Sequence, residues 1–351
     1  MLIEGVFAAV TTPFYSDERV YYRKIEANIA RYSRSQLAGL VVLGSTGEAP
    51  ALDDSETKEV LRVAAETASA EKVLIAGVNR ESLRSVLDLA EFAAEHQYDA
   101  VLVRTPTYYS TQMTPQVVAN YFRAVADRSP LPVVLYNIPR CVPYQIAVEM
   151  VAELAHHPNI VAIKDSSGTL DRIRGIVDAT RAVPKRTVTV TPLFEAVTGR
   201  MLKQPNAEAA TFVPAANLAG GPAVAGAPPV TPMKTRTREI GFQVLTGSAS
   251  IILPSLDAGA SGAILGFGAC APEACYEVYF AWKDRDPKLA AEKQEQIAKA
   301  NQRITAELGI AGVKYACDFN GYYGGYPRQP LLSLTAEEKA EVECLLHDIR
   351  S

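Results

Sequence analysis

The chain predicts an α/β fold, a single (β/α)8 TIM barrel, and three observations carry that expectation. Short apolar runs of strand length recur eight times along the 351 residues, and stretches of helix length separate them. No GxGxxG follows the first run, which argues against a doubly wound nucleotide-binding sheet built from the same elements. The chain is 48% hydrophobic and 21% charged, which suits a globular protein, and α/β barrels of this length fold as one unit. In such a barrel the reacting groups are expected at the carboxyl ends of the strands.

In chain order, the expected strands are Val6–Val10, Gly39–Leu43, Val73–Val78, Ala100–Arg104, Val133–Tyr136, Ile160–Lys164, Phe242–Thr246 and Gly262–Leu265. Their near-continuous Val, Ile, Leu and Ala content is that of strands buried on both faces. Helical stretches are expected at Tyr21–Gln36, Asp54–Ala70, Ser82–His96, Thr114–Asp127 and Ile146–Leu154. Asp54 and Ser55 suit an N-cap region, and Thr114-Pro115 places a proline at a first helical position. Three further segments, about Pro272–Lys283, Pro287–Leu308 and Thr335–Asp348, predict a C-terminal helical extension. The expected organisation is a catalytic barrel over 1–270, interrupted at 181–240, and an extension over 271–351.

The interruption is rich in Ala, Pro, Gly and Thr, with six prolines between Pro205 and Pro232. The run from Ala219 to Pro229 has no amphipathic period and reads as a flexible or partly ordered insertion. It falls between the sixth helix and the seventh strand, on the amino-terminal face, away from the expected chemistry. The plain reading is a surface excursion without catalytic role; the alternative is a docking or assembly segment.

Charge and cysteine content narrow the function. The net charge is −4 and no Lys/Arg block stands out, so neither nucleic acid nor a membrane surface is an expected partner. Met1–Gly5 does not read as a signal peptide, and no apolar stretch is long enough to span a bilayer. Five scattered cysteines without CxxC spacing read as reduced, cytoplasmic thiols. A metal aldolase needs several His or carboxylate ligands on converging elements. His96, His156, His157 and His347 lie on or at the ends of expected helices, so no metal or other cofactor is expected.

Chemistry-bearing residues gather at the strand ends. Lys164 ends the run from Asn159 and is followed by Asp165-Ser166-Ser167-Gly168. A lysine there loses hydration, desolvation lowers an amine's pKa, and a neutral amine attacks ketones to form a Schiff base. The competing reading is a lysine that snorkels outward or pairs with Asp165. Gly44-Ser45-Thr46-Gly47-Glu48 follows the second strand, and its hydroxyls and backbone N–H groups form a plausible carboxylate cradle, although such a pentapeptide is also ordinary turn chemistry. Tyr136-Asn137-Ile138-Pro139 ends the fifth strand, the expected neighbour of the sixth, where a phenol would shuttle protons beside Lys164. The alternative for Tyr136 is a core aromatic with a satisfied hydroxyl.

These three motifs resemble the signatures of the dihydrodipicolinate synthase/N-acetylneuraminate lyase superfamily, the pyruvate-handling class I aldolases. The resemblance covers residues 1–180 and 241–348. It implies that Lys164 is the Schiff-base lysine and Tyr136 the proton-transfer tyrosine. Ser45 and Thr46 would bind the pyruvate carboxylate, with Ser45 also relaying protons. Thr105-Pro106-Thr107-Tyr108-Tyr109 is similar to the family segment that sends a tyrosine into a neighbouring subunit's site, by preference Tyr109, otherwise Tyr108. A homo-oligomer, tetramer or dimer, follows from that. Gly262-Ala263-Ile264 resembles the strand whose isoleucine, Ile264, lies beside the Schiff base.

Within the superfamily, dihydrodipicolinate synthases carry Ser-Arg-Thr-Gly after the Tyr-Asn-x-Pro motif. Here Arg140-Cys141-Val142-Pro143 puts the arginine one position early. Arg140 would still reach a distal carboxylate, or be an exposed structural arginine. Other stretches, such as Phe242–Ala249 and Gly321–Gly325, resemble mitochondrial-type 4-hydroxy-2-oxoglutarate aldolase, with Ser166 or Arg140 as the second anion site. The expected reaction is therefore cleavage of 4-hydroxy-2-oxoglutarate to pyruvate and glyoxylate. Dihydrodipicolinate formation, another sugar-acid lyase or dehydratase, and a non-catalytic 2-oxo acid sensor are the alternatives. A sensor has no need of a Schiff-base nucleophile.

Overall fold

A computed structural model describes residues 1–203 and 233–349. Its strands are β1 (Gly5–Ala9), β2 (Gly39–Val42), β3 (Val73–Gly77), β4 (Ala100–Arg104), β5 (Val133–Asn137), β6 (Ile160–Asp165), β7 (Arg186–Val190), β8 (Arg236–Ile240), β9 (Gln243–Thr246) and β10 (Gly262–Leu265). All except β7 and β8 pair in parallel and close into an eight-stranded barrel, with β9 beside β6 and β10 beside β1. Each barrel strand expected from the sequence is present to within a residue at either end.

The helices are α1 (Tyr22–Ser33), α2 (Asp54–Thr67), α3 (Leu83–Glu95), α4 (Pro115–Arg128), α5 (Val148–Leu154), α6 (Leu170–Thr180), α7 (Gly199–Lys203), α8 (Ile252–Asp257), α9 (Pro272–Lys283), α10 (Pro287–Asn301), α11 (Gly309–Phe319) and α12 (Ala336–Leu346). Side chains alternate along the strands between two apolar layers. Phe7, Ala9, Val41, Ile75, Leu102, Val134, Ala162, Leu245 and Ile264 fill the barrel interior. Ala8, Leu40, Val42, Ala76, Val103, Leu135, Ile163 and Leu265 pack outward with the helices. Burying each large aliphatic or aromatic side chain contributes about 1.5–3 kcal/mol.

The structure adjusts several local expectations. The N-cap of α2 is Asp53 rather than Asp54 or Ser55: its carboxylate accepts from Glu56 N at 2.8 Å, and Glu56 accepts in turn from Asp53 N at 3.1 Å. Thr114 caps α4 ahead of Pro115 as expected. The stretch Pro287–Leu308 is not one helix. It leaves α-helical geometry after Asn301, passes through a π-helical turn at Gln302–Glu307, and continues into α11, which the sequence pattern did not predict. The helices α10 and α11 pack on the turns that follow β9 and β10, which sets them at the carboxyl end of the barrel.

The insertion is more ordered at its ends than its composition suggested. β7 and β8 form an antiparallel ribbon, Arg186 opposite Ile240 and Val190 opposite Arg236. Val188, Val190 and Ile240 bury an apolar cluster against Leu2. Thr198 donates to the carbonyl of Ala70 and Arg200 to that of Lys72, just before β3, while Arg200 also faces Asp99, just before β4, at 3.6 Å. These contacts hold the segment to the amino-terminal face. The Ala219–Pro229 run lies outside the described residues.

Candidate active site

Tyr136 on β5 and Lys164 on β6 stand directly opposite each other in the strand register. A bulge makes this so. The pairing shifts by one residue after Val133, so that Val133 faces Ile160 but Val134 faces Ala162. Had the pairing run on unshifted from Val133 and Ile160, Lys164 would sit opposite Asn137, and a one-residue slip turns every side chain to the other face. Ala162 belongs to the interior layer, and Lys164 two residues on points the same way.

The amine is enclosed. Lys164 and Tyr136 are each 3% exposed. Lys164 Nζ donates to Tyr136 Oη at 3.4 Å and lies 4.3 Å from the ring centroid. Tyr136 Oη shares a hydrogen bond of 3.3 Å with Ser45 Oγ. A chain of three groups, amine, phenol and hydroxyl, therefore joins the ends of β6, β5 and β2. Lys164 neither reaches solvent nor pairs with Asp165. The Asp165 carboxylate is already taken, by Arg172 Nε at 2.7 Å, Asn137 Nδ2 at 2.8 Å and Ser167 Oγ at 2.5 Å. With Asp165 neutralised by Arg172, the nearest bonding partner of the amine is the phenol.

The Ser45-Thr46-Gly47 segment is a short 3-10 turn closed by Glu48 in left-handed conformation, φ 52°. Thr12 Oγ1 donates to Gly47 O at 2.7 Å. Glu48 is buried and ion-paired with Lys314 of α11; Arg328 N also donates to Glu48 Oε2, at 2.9 Å. Burial lowers the pKa of Lys314 from its ordinary 10.5, with Glu48 pulling it back upward. Ser166 follows β6 and packs on Gly247 at the end of β9, where a Cβ would stand 2.0 Å from Ser166 Oγ. Ile264 is fully buried in the interior layer.

Three expected residues, Tyr109, its alternative Tyr108, and Arg140, stand apart from this chain of groups. Tyr109 and Tyr108 are 61% and 79% exposed, edge to face with centroids 5.1 Å apart. Their loop is held by Glu81, whose carboxylate accepts from Thr107 N at 2.7 Å, Tyr108 N at 3.0 Å and Arg104 Nη2 at 2.8 Å. Burial pushes the Glu81 pKa up, but the donors from Tyr108, Arg104 and Thr107 outweigh it and hold it at about 2. Arg140 donates to the carbonyl of Ala306 in the π-helical turn.

Sequence reasoning did not single out Glu81, Asp165's partner Arg172, or Lys314. Glu48 was noted only as the end of a motif. Among the described residues, no group of three or more His, Cys, Asp or Glu is arranged to hold a metal ion. No described helix is long and apolar enough to cross a membrane. His157 is turned to Asp127 at 2.9 Å and His96 to its own helix's Phe92 carbonyl, also at 2.9 Å.

Comparison with known proteins gives the family and the fold. The profile of the dihydrodipicolinate synthetase family matches residues 2–187 and 226–349. A 4-hydroxy-tetrahydrodipicolinate synthase of Acidiphilium cryptum is 29% identical, over 98% of both chains. An L-threo-3-deoxy-hexylosonate aldolase of Hypocrea jecorina is 28% identical, over 99% of this chain and 95% of that one. A probable mitochondrial 4-hydroxy-2-oxoglutarate aldolase of Emericella nidulans is 26% identical, over 97% and 93%. In fold, the chain is similar to a prophage protein of the dihydrodipicolinic acid synthase family from E. coli, solved in complex with pyruvate. The TM-score is 0.77, at 22% identity, over 99% of both chains.

Proposed function

Since the chain belongs to the dihydrodipicolinate synthetase family, a family of aldolases and lyases, we propose that it forms a Schiff base between Lys164 and a 2-oxo acid and makes or breaks a carbon–carbon bond through it. The observation that carries this reading is the buried chain from Lys164 Nζ through Tyr136 Oη to Ser45 Oγ, at 3.4 and 3.3 Å. An amine withdrawn from solvent, with a phenol in hydrogen-bond reach, is the arrangement that carbinolamine formation and dehydration need.

The reaction we favour is cleavage of 4-hydroxy-2-oxoglutarate. The Lys164 lone pair adds to C2, water leaves, and an iminium results. Tyr136, relayed by Ser45, takes the proton of the C4 hydroxyl. The C3–C4 bond breaks, its electron pair enters the enamine, and glyoxylate departs. A proton then returns to C3, and hydrolysis frees pyruvate and the amine. Thr46 and the N–H groups of its turn hold the C1 carboxylate, Ser166 serves the distal carboxylate, and Ile264 packs beside the iminium. The similarity to the Emericella protein supports this substrate. So does the engagement of Arg140 with a backbone carbonyl, which occupies the group a synthase would turn to aspartate semialdehyde.

Tyr109, on its exposed loop, reaches a second copy's site in a dimer or tetramer on this reading, and the enzyme works in the cytoplasm. The similarity to the Acidiphilium synthase favours a second reading, condensation of pyruvate with aspartate semialdehyde. Assay of both reactions side by side decides between them. A kcat/KM for cleavage at least about tenfold above that for condensation is expected, roughly 1.4 kcal/mol in transition-state binding. Faster condensation, removed by Arg140→Ala, overturns it.

A further inference from the structure

The π-helical turn Gln302–Glu307 lies against the site, and the reaction above gives its Thr305 no task. Three elements meet here: the tip of β10, the turn that carries Thr46, and the π turn. A Cβ placed on Gly266, the residue after β10, would stand 3.1 Å from Thr46 Oγ1 and 3.3 Å from Thr305 Cγ2. The missing side chain at Gly266 is what lets the two threonines approach across it.

Thr305 Oγ1 is shut off from solvent and has no hydrogen-bond partner among the described residues. A threonine in an α-helix ordinarily satisfies its hydroxyl on a carbonyl three or four residues back. Thr305, in a π turn, does not. A buried hydroxyl left unpaired costs free energy, and π turns recur at functional sites. The turn is also fastened at the next residue, where Arg140 grips the carbonyl of Ala306. It is thus held between the loop after β5 and the tip of β10, at the carboxyl end of the barrel.

We propose that Thr305 is a further substrate-binding residue, its hydroxyl joining Thr46 in holding the carboxylate of the bound 2-oxo acid. The inference rests on the Schiff-base reading of the site. Methyl and hydroxyl sit on the same carbon of threonine, and a turn of about 120° in χ1 carries the hydroxyl into the well the methyl fills and the methyl into the one the hydrogen fills. The hydroxyl therefore reaches the Thr46 side without backbone movement. A carboxylate there supplies the acceptor that the hydroxyl lacks, in a charge-assisted hydrogen bond.

The test uses the full-length enzyme, pyruvate and borohydride. The pyruvate concentration that half-saturates trapping on Lys164 is measured for the wild type, Thr305→Val and Thr305→Ser, with the Tm of each. Thr305→Val keeps the shape and removes the hydroxyl, so half-saturation should rise about tenfold. Thr305→Ser keeps the hydroxyl and should return it to within about threefold of the wild type. With methyl pyruvate, which lacks the carboxylate charge, the wild type and Thr305→Val should differ by less than about threefold. Unchanged half-saturation in Thr305→Val, or equal shifts in the Val and Ser variants, overturns the proposal while leaving the Schiff base intact. A wild type that gives no Lys164 adduct removes both the proposal and the reading beneath it.

Discussion

Glu48 and Lys314, one at the end of the Ser45-Thr46 turn and the other in α11, form an ion pair whose side chains are 3% and 0% exposed. Lys314 Nζ also donates to Tyr326 O at 2.6 Å and lies 4.3 Å from the Phe14 ring centroid. The pair ties the hydroxyl turn to the C-terminal helices. Removing one partner leaves a buried charge alone, which costs about 3–5 kcal/mol. Lys314→Met should therefore lower the unfolding free energy by about that amount in a denaturant titration. The double variant Glu48→Gln/Lys314→Met should recover a substantial part of the loss. A double variant destabilised by the sum of the two single changes would show that the two side chains act independently.

Tyr136→Phe removes the phenol that touches both Lys164 and Ser45. A positioned proton-transfer group contributes about 10²–10⁴ in rate, so kcat should fall by that range. Borohydride with pyruvate should still add its label to Lys164, more slowly, whereas Lys164→Ala should take no label. A Phe variant with wild-type kcat would assign the proton transfer to another group.

The loop that carries Tyr108 and Tyr109 should loosen in acid. Glu81 titrates at about 2 in the fold against an ordinary 4.5, so the folded state binds its proton less readily than the unfolded chain. Its contribution is complete above 4.5 and is lost as the pH falls from there toward 2. The Tm difference between wild type and Glu81→Gln should shrink over that window. A difference that stays constant down to pH 2.5 would contradict the role of the charge.

Residues 204–232 should be dispensable for chemistry. The anchored parts of the insertion, Thr198 and Arg200, precede them and grip the amino-terminal ends of β3 and β4, away from Lys164. With 204–232 exchanged for a short Gly/Ser linker, pyruvate trapping and turnover should stay within about threefold of the wild type, since the strand tips are on the other face. A folded variant that loses activity by orders of magnitude would place the segment in a site or an essential interface.

The barrel was readable because its strands are apolar on both faces: Ala100–Arg104 and Gly262–Leu265 were bounded to the residue. The juxtaposition of Tyr136 and Lys164 was readable because each polar side chain ends an apolar run on neighbouring strands. What the sequence did not disclose depends on distant or compensated features. Glu48 and Lys314 meet only through the tertiary fold. The bulge at Val133/Val134 that aligns Tyr136 with Lys164 leaves no local signal. The helix α11 opens on Gly309 and contains Gly312, which weakens its helical pattern until packing holds it. For β7 a signal was present. Arg186-Thr187-Val188-Thr189-Val190 alternates polar and apolar β-branched residues, but the surrounding Ala/Pro/Gly composition hid it.

The ribbon of β7 and β8 has an architectural use of its own. Val190 and Arg236 are paired, so the chain comes back beside the place where it left. The barrel holds what is threaded between those two positions at Thr198 and Arg200, on the amino-terminal face, and lengthening a loop with fixed ends costs little entropy. That makes this the natural port for splicing in foreign sequence. A fluorescent reporter, an affinity handle or a surface tether inserted there would hang from the side opposite Lys164, and an immobilised enzyme would present its mouth to the substrate stream.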